Sequence, residues 1–482
     1  MDFSNIEPKA LWQHFAALNA VPRPSKKEER VIAFMLNFGT SLGLETQTDA
    51  IGNVIIKKAA TAGMQDRQTV ILQSHLDMVH QKNANTVFDF DQQGIDMYQD
   101  GDWIRAKGTT LGADNGIGVA AIMALLASTD IPHPPLEAFF TIDEETGMTG
   151  AKQMDASLLT GTILLNLDTE DDDELSVGCA GGIDTNTSFA YQEIKVIDGY
   201  KLFEIQISGL LGGHSGMDID KGRGNANKWL ARLLWEISQI MDVQLLSFDG
   251  GSLRNAIPRE ATTIIAVKDG SSLQTAIETF KRTLREEYHL IEPHFAVQIQ
   301  ETTSALNAVP TPIFKQIVAT LYGVKNGVYR MSPDIEGLVE ASSSLARVVI
   351  QNGSFTTQSL QRSSVESTKR EISTAVRCAF ENMGATVEQS GDYPGWKPNS
   401  GSAILQIMKR QYIDMFQETP KVKACHAGLE CGLLSEKLPG VDMISFGPNI
   451  RAAHSPDECV QISSVQKFWA YFLNSLTHIP KA

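Results

Sequence analysis

Apolar residues recur along the chain at two spacings, and these spacings predict the order of helices and strands. Near the N-terminus, Leu11, Phe15 and Leu18 recur at helical spacing. Farther on, short continuous apolar runs such as 69–72 and 162–167 alternate with helical stretches. Strands that are apolar on both faces and alternate with helices are typical of a buried, mostly parallel sheet. We therefore predict an α/β domain with a mostly parallel sheet flanked by helices.

The pattern changes near Gln192, where strands with one polar face replace the continuous apolar runs. Between residues 203 and 301 the predicted order is strand, helix, strand, strand, helix, strand, as in a ferredoxin-like layer. The stretch 312–389 partly repeats this order. We predict an inserted α+β lid with ferredoxin-like layers, and doubling of this layer is our hypothesis for the lid.

A linker rich in Pro and Gly at 392–398 precedes a return to α/β character, with a helix at 403–416 and a strand at 442–446. This return predicts that the lid interrupts one catalytic domain. The expected bounds are 1–187 for its first part, 188–392 for the inserted lid and 393–482 for its second part.

The composition favours a soluble globular protein. Its length of 482 residues is more than one ordinary hydrophobic core accommodates, so we expect more than one domain. The formal net charge of −16, without a long basic block, argues against nucleic acid or an anionic membrane surface as a partner. The longest apolar run, 119–127, is far shorter than the ~20 residues of a membrane span.

The expected location is the cytoplasm. Residues 1–7 lack the basic start and apolar core of a secretory signal. The five cysteines form no Cys-x-x-Cys pair, so we expect reduced thiols.

Candidate chemistry begins with His75 and Asp77, which follow the apolar run 69–72. Side chains at i and i+2 of a strand point to the same face, so both would project together from the strand end. A carboxylate beside a histidine fixes the ring tautomer, as metal sites require. A hydrogen-bonded pair without a metal is the alternative, so the interpretation depends on further ligands.

Further acidic and histidine residues follow predicted strands. Asp114 precedes a helix, Glu144 and Glu145 follow an apolar strand, Asp168 ends another, and His454 lies in a late loop. In open α/β sheets, ligands bind beyond the carboxyl ends of the strands. The alternatives are a helix N-cap for Asp114 and solvated loops for the others. Together, two histidines and three carboxylates would suit a dinuclear site for zinc, cobalt or manganese.

Five runs in this order resemble the co-catalytic zinc aminoacylase/carboxypeptidase G metallopeptidase family. They are residues 74–77, 112–116, 144–147, 166–168 and the late His454. Runs at 212–216, 254–260 and 426–432 extend the resemblance over essentially the whole chain. The resemblance implies a zinc peptidase-like fold and two divalent ions, with Zn²⁺ first and Co²⁺ or Mn²⁺ as alternatives.

The resemblance also implies an activity. The expected enzyme is a dipeptidase that hydrolyses small peptides with a free N-terminus, including Xaa-His peptides such as carnosine. An N-acyl amino-acid deacylase or carboxypeptidase of the same family is the alternative within hydrolases. A non-catalytic binding protein on this scaffold is disfavoured, because no expected metal ligand is missing.

The resemblance assigns metal ligands residue by residue. Asp114 would bridge the two ions, His75 and Asp168 would complete one site, and Glu145 and His454 the other. The peptide bond that follows Asp114 is expected to be cis.

The remaining roles are implied in the same way. Asp77 would hold the His75 ring, and Glu144 would be the general base. His214 would stabilise the oxyanion. Family members often supply it from a partner subunit, which implies a homodimer through the lid, and supply in cis by a doubled lid is the alternative. Weaker candidates for substrate binding are Asn255, Arg362, Gly428 and Gly447. A lid surface role for Arg362 and a turn role for both glycines are the alternatives.

Overall fold

The computed structural model describes residue 3 and residues 5–482, which fall into two units. The first unit comprises the residues up to Gly178, with Pro398–Ala424 and Leu429–Ala482. The second comprises Cys179–Lys397 and Cys425–Gly428. The predicted boundary between 187 and 188 would divide a strand, Gly181–Ala190, that lies wholly in the second unit.

The helices of the described residues are α1 (Lys9–Asn19), α2 (Glu29–Ser41), α3 (Ala113–Ala127), α4 (Thr149–Gln153), α5 (Ala226–Ile240), α6 (Gly270–Tyr288), α7 (Thr311–Gly323), α8 (Glu366–Glu381), α9 (Ala403–Phe416), α10 (Glu430–Lys437) and α11 (Ile462–Thr477). In this part of the chain, none of them combines the length and apolar character that a bilayer crossing requires.

The strands are β1 (Glu45–Thr48), β2 (Val54–Lys58), β3 (Val70–His75), β4 (Met97–Asp100), β5 (Trp103–Ala106), β6 (Leu136–Thr141), β7 (Ile163–Asn166), β8 (Glu174–Cys179), β9 (Gly181–Ala190), β10 (Lys201–Ser208), β11 (Val243–Gly250), β12 (Ala261–Val267), β13 (Ala296–Thr302), β14 (Gly327–Met331), β15 (Val339–Gln351), β16 (Ser354–Ser363), β17 (Thr386–Tyr393), β18 (Lys421–Cys425), β19 (Asp442–Ser445), β20 (Ile450–Arg451) and β21 (Cys459–Gln461).

The first unit is built on an eight-stranded sheet in the order β1-β2-β6-β3-β7-β19-β8-β18. The central strands β6, β3, β7 and β19 are parallel, whereas β1, β2 and β8 pair antiparallel nearer the edges. The predicted parallel centre is therefore confirmed. Every residue of β3 and β6 is buried, as expected for strands covered on both faces.

The parallel register brings three strand ends to one edge of this sheet. His75 of β3 pairs with Thr141 of β6, and Gln73 pairs with Asn166 of β7. The residues that follow these strands therefore start from neighbouring positions. α3, which is apolar on all sides and almost wholly buried, packs against β3 and α1.

A four-stranded sheet of the first unit, β20-β21-β5-β4, positions the late histidine. β20 and β21 pair antiparallel, and the loop between them carries His454 in a left-handed conformation with φ of 64°. β21 also pairs with β5, which fixes the hairpin on the first unit.

The second unit contains a nine-stranded sheet whose main path is β13-β10-β12-β11-β15-β16-β9-β17. β10, α5, β11, β12, α6 and β13 form one ferredoxin-like half. β9, α7, β15, β16, α8 and β17 form the other half, in the same spatial order reversed. Antiparallel pairing of β11 with β15 joins the halves, and one apolar core includes residues of both. The hypothesis of a doubled layer is confirmed, with one half inserted between β9 and α7 of the other.

Candidate metal centre

His75 and two carboxylates form the first cluster of potential ligands. The His75 Nε2 atom lies 3.2 Å from Asp114 Oδ1 and 3.6 Å from Asp168 Oδ1. His75 ends β3 and is buried, and Asp168 follows β7, so the parallel sheet brings these two together. One ligand atom from each of the three residues lies within 4.8 Å of the others.

His454 forms a second cluster on the other side of Asp114. Its Nε2 atom lies 3.1 Å from Asp114 Oδ2 and 3.0 Å from Glu145 Oε2. Each carboxylate oxygen of Asp114 therefore faces a different histidine. This is the arrangement that a carboxylate needs to bridge two cations. The structure brings together all five predicted ligands.

Glu144 lies beside both clusters. His75, Glu144 and Glu145 form a further group whose ligand atoms lie within 4.8 Å of one another. Burial raises the pKa of the Glu144 carboxyl well above its usual value, with Glu430 and Glu145 adding to the increase. Its position suits either a base beside the ions or an additional ligand.

Asp77 lies behind the clusters and fixes their geometry. Its Oδ1 atom is 3.3 Å from His75 Nδ1, on the side of the ring away from Asp114. The backbone N–H groups of Glu144 and Glu145 donate to its two oxygens, at 3.0 and 3.2 Å. Asp77 therefore orients one histidine and the loop that carries two glutamates.

Ser25 lies shortly before α2 but does not cap it. α2 has Glu28 at its N-cap position, without a side-chain cap. The Ser25 hydroxyl donates to Asp77 Oδ2 at 2.8 Å instead. The hydroxyl is a donor in this bond, and a buried carboxylate is a strong, charged acceptor, whereas a helix N-terminus offers only N–H donors.

The loop before α3 presents Asp114 to both histidines. The Asp114–Asn115 peptide bond is cis, as predicted. The backbone is not helical at Asp114 and Asn115, and the two Asp114 oxygens face His75 and His454, which argues against an N-cap role for this side chain. The Asn115 amide donates to the Leu167 carbonyl at 2.6 Å and also to the Asp168 carboxylate, which ties this loop to the end of β7.

The electrostatics of the clusters favour cation binding. Burial raises the pKa of Asp168 well above its usual value, and the neighbouring Asp114 and Glu144 carboxylates reinforce the increase. Burial opposes the ionisation of Asp114 too, but hydrogen bonds from His454 and His75 hold its pKa below the usual range. Divalent cations would relieve this accumulation of buried carboxylates, and the mixed N/O donors are those that zinc accepts.

The second unit, described by itself, contains His214, Asn255 and Arg362. The His214 Nδ1 atom accepts the N–H groups of Gly216 and Met217 at 3.2 and 3.0 Å. The ring therefore carries its proton on Nε2 when neutral. Burial lowers the pKa of His214, and the Arg362 charge lowers it further. The Asn255 carbonyl accepts the Ser215 N–H at 2.8 Å, which pairs the two loops.

Arg362 is 5% exposed and forms no ion pair with a carboxylate of the described residues. Its Nη1 atom donates to the Tyr393 hydroxyl at 2.9 Å, and its buried Nε has no hydrogen-bond partner. A buried guanidinium with spare donors is suited to an anionic ligand. The surface alternative for Arg362 is therefore wrong.

Both predicted substrate-binding glycines lie close to neighbouring protein atoms. A Cβ atom on Gly428 would lie 3.0 Å from the Tyr393 ring. On Gly447 it would meet the Thr169 backbone, with the Thr169 N atom at 3.1 Å. These contacts favour the turn interpretation, since neighbouring protein atoms already explain both glycines.

His426 was not singled out in the sequence beyond the run 426–432. It is buried in the second unit, where its Nε2 atom lies 2.7 Å from the Ser342 hydroxyl. Burial lowers the pKa of His426 to about 3, and the Arg362 and His214 charges contribute. Because the His426 ring is neutral, it does not neutralise the charge of Arg362, which stays available for an anionic ligand.

Comparison with known proteins identifies the family. The model for peptidase family M20/M25/M40 matches residues 71–478. The chain belongs to this family. The resemblance inferred from the sequence runs and the metallopeptidase class are thus confirmed, and the clusters around Asp114 lie within the matched region.

Three known proteins illustrate what this chain is similar to. The cytosol non-specific dipeptidase of Escherichia coli is 39% identical over 481 residues, which cover 99% of each chain. The aminoacylhistidine dipeptidase of Vibrio alginolyticus has 42% identity and a TM-score of 0.97, covering 100% of this chain and 99% of its own. Aminopeptidase PepT of Bacillus cereus, with 17% identity and a TM-score of 0.57 over 98% and 99% of the chains, shares the fold.

Proposed function

We propose that this M20 peptidase is a dinuclear metal-dependent dipeptidase that hydrolyses small peptides with a free N-terminus, including Xaa-His peptides. The observation that carries the proposal is Asp114, whose two oxygens each face a different histidine and a further carboxylate. The names of the relatives from Escherichia coli and Vibrio alginolyticus support the dipeptide and Xaa-His substrate classes. We also propose a cytosolic location, as the name of the former indicates.

The proposed ligands follow the two clusters. His75, Asp168 and Asp114 would hold one ion, and Glu145, His454 and Asp114 would hold the second. Zn²⁺ is our proposed ion, and the same donors accept Co²⁺ or Mn²⁺. When bound, the two ions lower the pKa of a coordinated water and polarise the scissile carbonyl.

Glu144 is the proposed general base. Its backbone N–H is held by Asp77, so the carboxylate is positioned by the residue that also orients the His75 ring. A carboxylate in this position can accept a proton from the attacking water and pass it to the leaving amine. The carboxylate of the adjacent Glu145 faces His454, so Glu145 is the proposed metal ligand of the pair.

His214 is the proposed oxyanion donor. The backbone N–H groups at its Nδ1 atom leave the proton on Nε2, so the neutral ring presents a hydrogen-bond donor at its free end. Such a donor stabilises a developing oxyanion. The lowered pKa keeps the ring neutral and in this tautomer over the neutral pH range.

Arg362 is the proposed site for the substrate's α-carboxylate, with Asn255 as a second substrate contact. The absence of an ion pair at Arg362 within the described chain and its spare Nε donor support this role. A carboxylate accepts two parallel hydrogen bonds from a guanidinium. The substrate is then a short peptide with a free C-terminus.

A matched pair of substrates tests the dipeptidase proposal. A dipeptide such as Ala-His is expected to have a kcat/KM at least ~100-fold higher than its N-acetylated form, because a site for a free amine loses affinity when the amine is blocked. Release of histidine by the protein loaded with Zn²⁺ measures both. Preferred cleavage of the acetylated substrate would instead indicate a deacylase. Equal metal content in both assays is the control.

A mixing experiment tests whether a homodimer supplies His214 in trans, which is our proposal for the second unit. His214→Ala and Glu144→Ala variants are each expected to lose activity, the former by about 100-fold in kcat. Mixed at equal concentration and allowed to exchange subunits, they should regain activity through hybrid dimers. Full activity at protein concentrations where size-exclusion chromatography shows a monomer would contradict supply in trans.

A further inference from the structure

Arg23 is a buried cation that contacts the backbone of the candidate metal centre. It lies between α1 and α2, and only 1% of its surface is exposed. Its Nη1 atom donates to the carbonyls of Leu76 and Asp77 at 3.0 and 3.1 Å. Its Nη2 atom donates to the Gly112 carbonyl at 2.6 Å and to Asn19 Oδ1 at 2.9 Å.

These partners are all neutral oxygens. Arg23 forms no ion pair with a carboxylate of the described residues. Several carboxylates, such as those of Glu458, Asp77 and Asp114, are nevertheless close enough to interact with its charge. Burying a guanidinium without an ion pair is costly, and the four hydrogen bonds of Nη1 and Nη2 offset part of this cost, although the buried Nε has no partner. They join the end of β3, which carries His75, to the loop before α3, which carries Asp114.

Two glycines of the run 112–116 leave space for this guanidinium. A Cβ atom on Gly112, which has φ of 70°, would lie 2.5 Å from Arg23 Nη2. A Cβ atom on Gly116 would lie 2.7 Å from the same atom. Gly116 is inside a helix, where alanine is favoured over glycine by about 1 kcal/mol. The Arg23 contact therefore explains two glycines of the run that metal binding leaves unexplained.

Glu458 holds the same loop from its N–H side. Its carboxylate is 2% exposed and lies four residues after His454, on the loop between β20 and β21. It accepts backbone N–H groups from four successive residues, namely Leu111 at 2.7 Å, Gly112 at 2.9 Å, Ala113 at 2.7 Å and Asp114 at 3.3 Å. The loop is thus held by an anion at its N–H groups and by a cation at a carbonyl.

We propose that Arg23 and Glu458 form a charge clamp that sets the position of Asp114 between His75 and His454. Both are positioning residues, because they act through the backbone of the bridging carboxylate. The proposal rests on the proposed metal-dependent function. Arg23 lies before residue 71, where the family match begins. The N-terminal helices therefore contribute directly to the geometry of the centre.

The clamp predicts a linked loss at both ion sites. Asp114 serves both clusters, so a shift of its loop lengthens one ligand distance in each. Residues that orient metal ligands typically contribute 10- to 100-fold in metal affinity. We expect Arg23→Gln, Arg23→Lys and Glu458→Gln each to weaken the binding of both ions by about this factor. Lysine retains the charge but cannot reach four acceptors at once.

Titration of the metal-free protein with Co²⁺ alone tests the clamp, because the visible absorption of Co²⁺ reports ligand geometry as well as occupancy. The variants should bind Co²⁺ about 10- to 100-fold more weakly, with altered absorption bands. Arg67→Lys is the matched control, since Arg67 also donates to a carbonyl, that of Ile479, away from the centre. Wild-type affinity and absorption in the Arg23 and Glu458 variants would overturn the clamp.

Gly116→Ala provides a second variant, whose added Cβ atom would lie 2.7 Å from Arg23 Nη2 and 3.0 Å from a ring carbon of Phe15. It should also weaken Co²⁺ binding, since the added methyl group meets the guanidinium. In an Arg23→Ala background that space is vacated, so the combined loss should be smaller than the product of the single losses. Independent effects would overturn the clamp. A wild-type protein that binds no Co²⁺ would overturn the metal centre and the clamp together.

Discussion

Replacing Glu144 with alanine is expected to lower kcat by about 10³- to 10⁴-fold while the protein still binds two metal ions per chain. The proposed ligands all come from other residues, so the ions should remain. Without the carboxylate, no group in this position takes the proton of the attacking water. Steady-state hydrolysis of Ala-His, together with metal analysis of the same sample, measures both quantities.

Glu137→Gln is a suitable control for the Glu144 experiment. Glu137 is also a buried carboxylate, and its replacement leaves every proposed metal ligand in place. It accepts hydrogen bonds from Thr160 and Gly161 at the opposite end of β6. This variant should retain wild-type kcat. Loss of an ion from Glu144→Ala would show that Glu144 is a ligand, as the cluster with His75 and Glu145 also allows. Unchanged kcat would contradict the assignment as base.

His75→Ala is expected to reduce activity to the level of wild-type protein treated with a chelator, because one ion loses its nitrogen ligand and the bridging Asp114 loses a partner. Asp77→Ala should have a graded effect, with metal affinity reduced about 10- to 100-fold, since Asp77 orients the His75 ring and the glutamate loop but is not a proposed ligand. Metal analysis after equilibrium dialysis against dilute Zn²⁺ distinguishes these outcomes.

Asp77→Asn refines this comparison. The amide oxygen can still accept one backbone N–H, from Glu144 or Glu145, while the negative charge beside His75 is lost. Its metal affinity should lie between those of the wild type and Asp77→Ala. If Asp77→Ala empties the centre as completely as His75→Ala does, Asp77 is a ligand and the division of roles is wrong.

The strand ends could be predicted from the sequence because their signals are local. The i, i+2 spacing of His75 and Asp77 and the apolar runs before Glu144 and Asp168 indicate side chains at one edge of a parallel sheet. The metal ligands themselves were selected by the family resemblance. The structure then places these groups within a few ångströms of one another.

Other parts of the fold and of the site could not be predicted from local sequence patterns. β8 and β9 were not predicted, since the stretch 174–190 contains glycines and polar residues that weaken a strand pattern. Arg23 and Glu458 give no local signal, because each acts on a loop that is distant in the sequence. Ser25 fits a helix N-cap locally, yet the buried carboxylate of Asp77 takes its hydroxyl.

The insertion of one ferredoxin-like half within the other has a consequence for synthesis on the ribosome. β9 ends at Ala190, but its partners β16 and β17 begin at Ser354 and Thr386. At about 5–20 residues per second, the interval before β16 emerges is on the order of 10–30 s. The half formed by β10 to β13 can fold during this interval from its own contacts, whereas both edges of β9 remain without their partner strands. We expect the nascent chain to be most prone to aggregation, and most dependent on chaperones, during this interval.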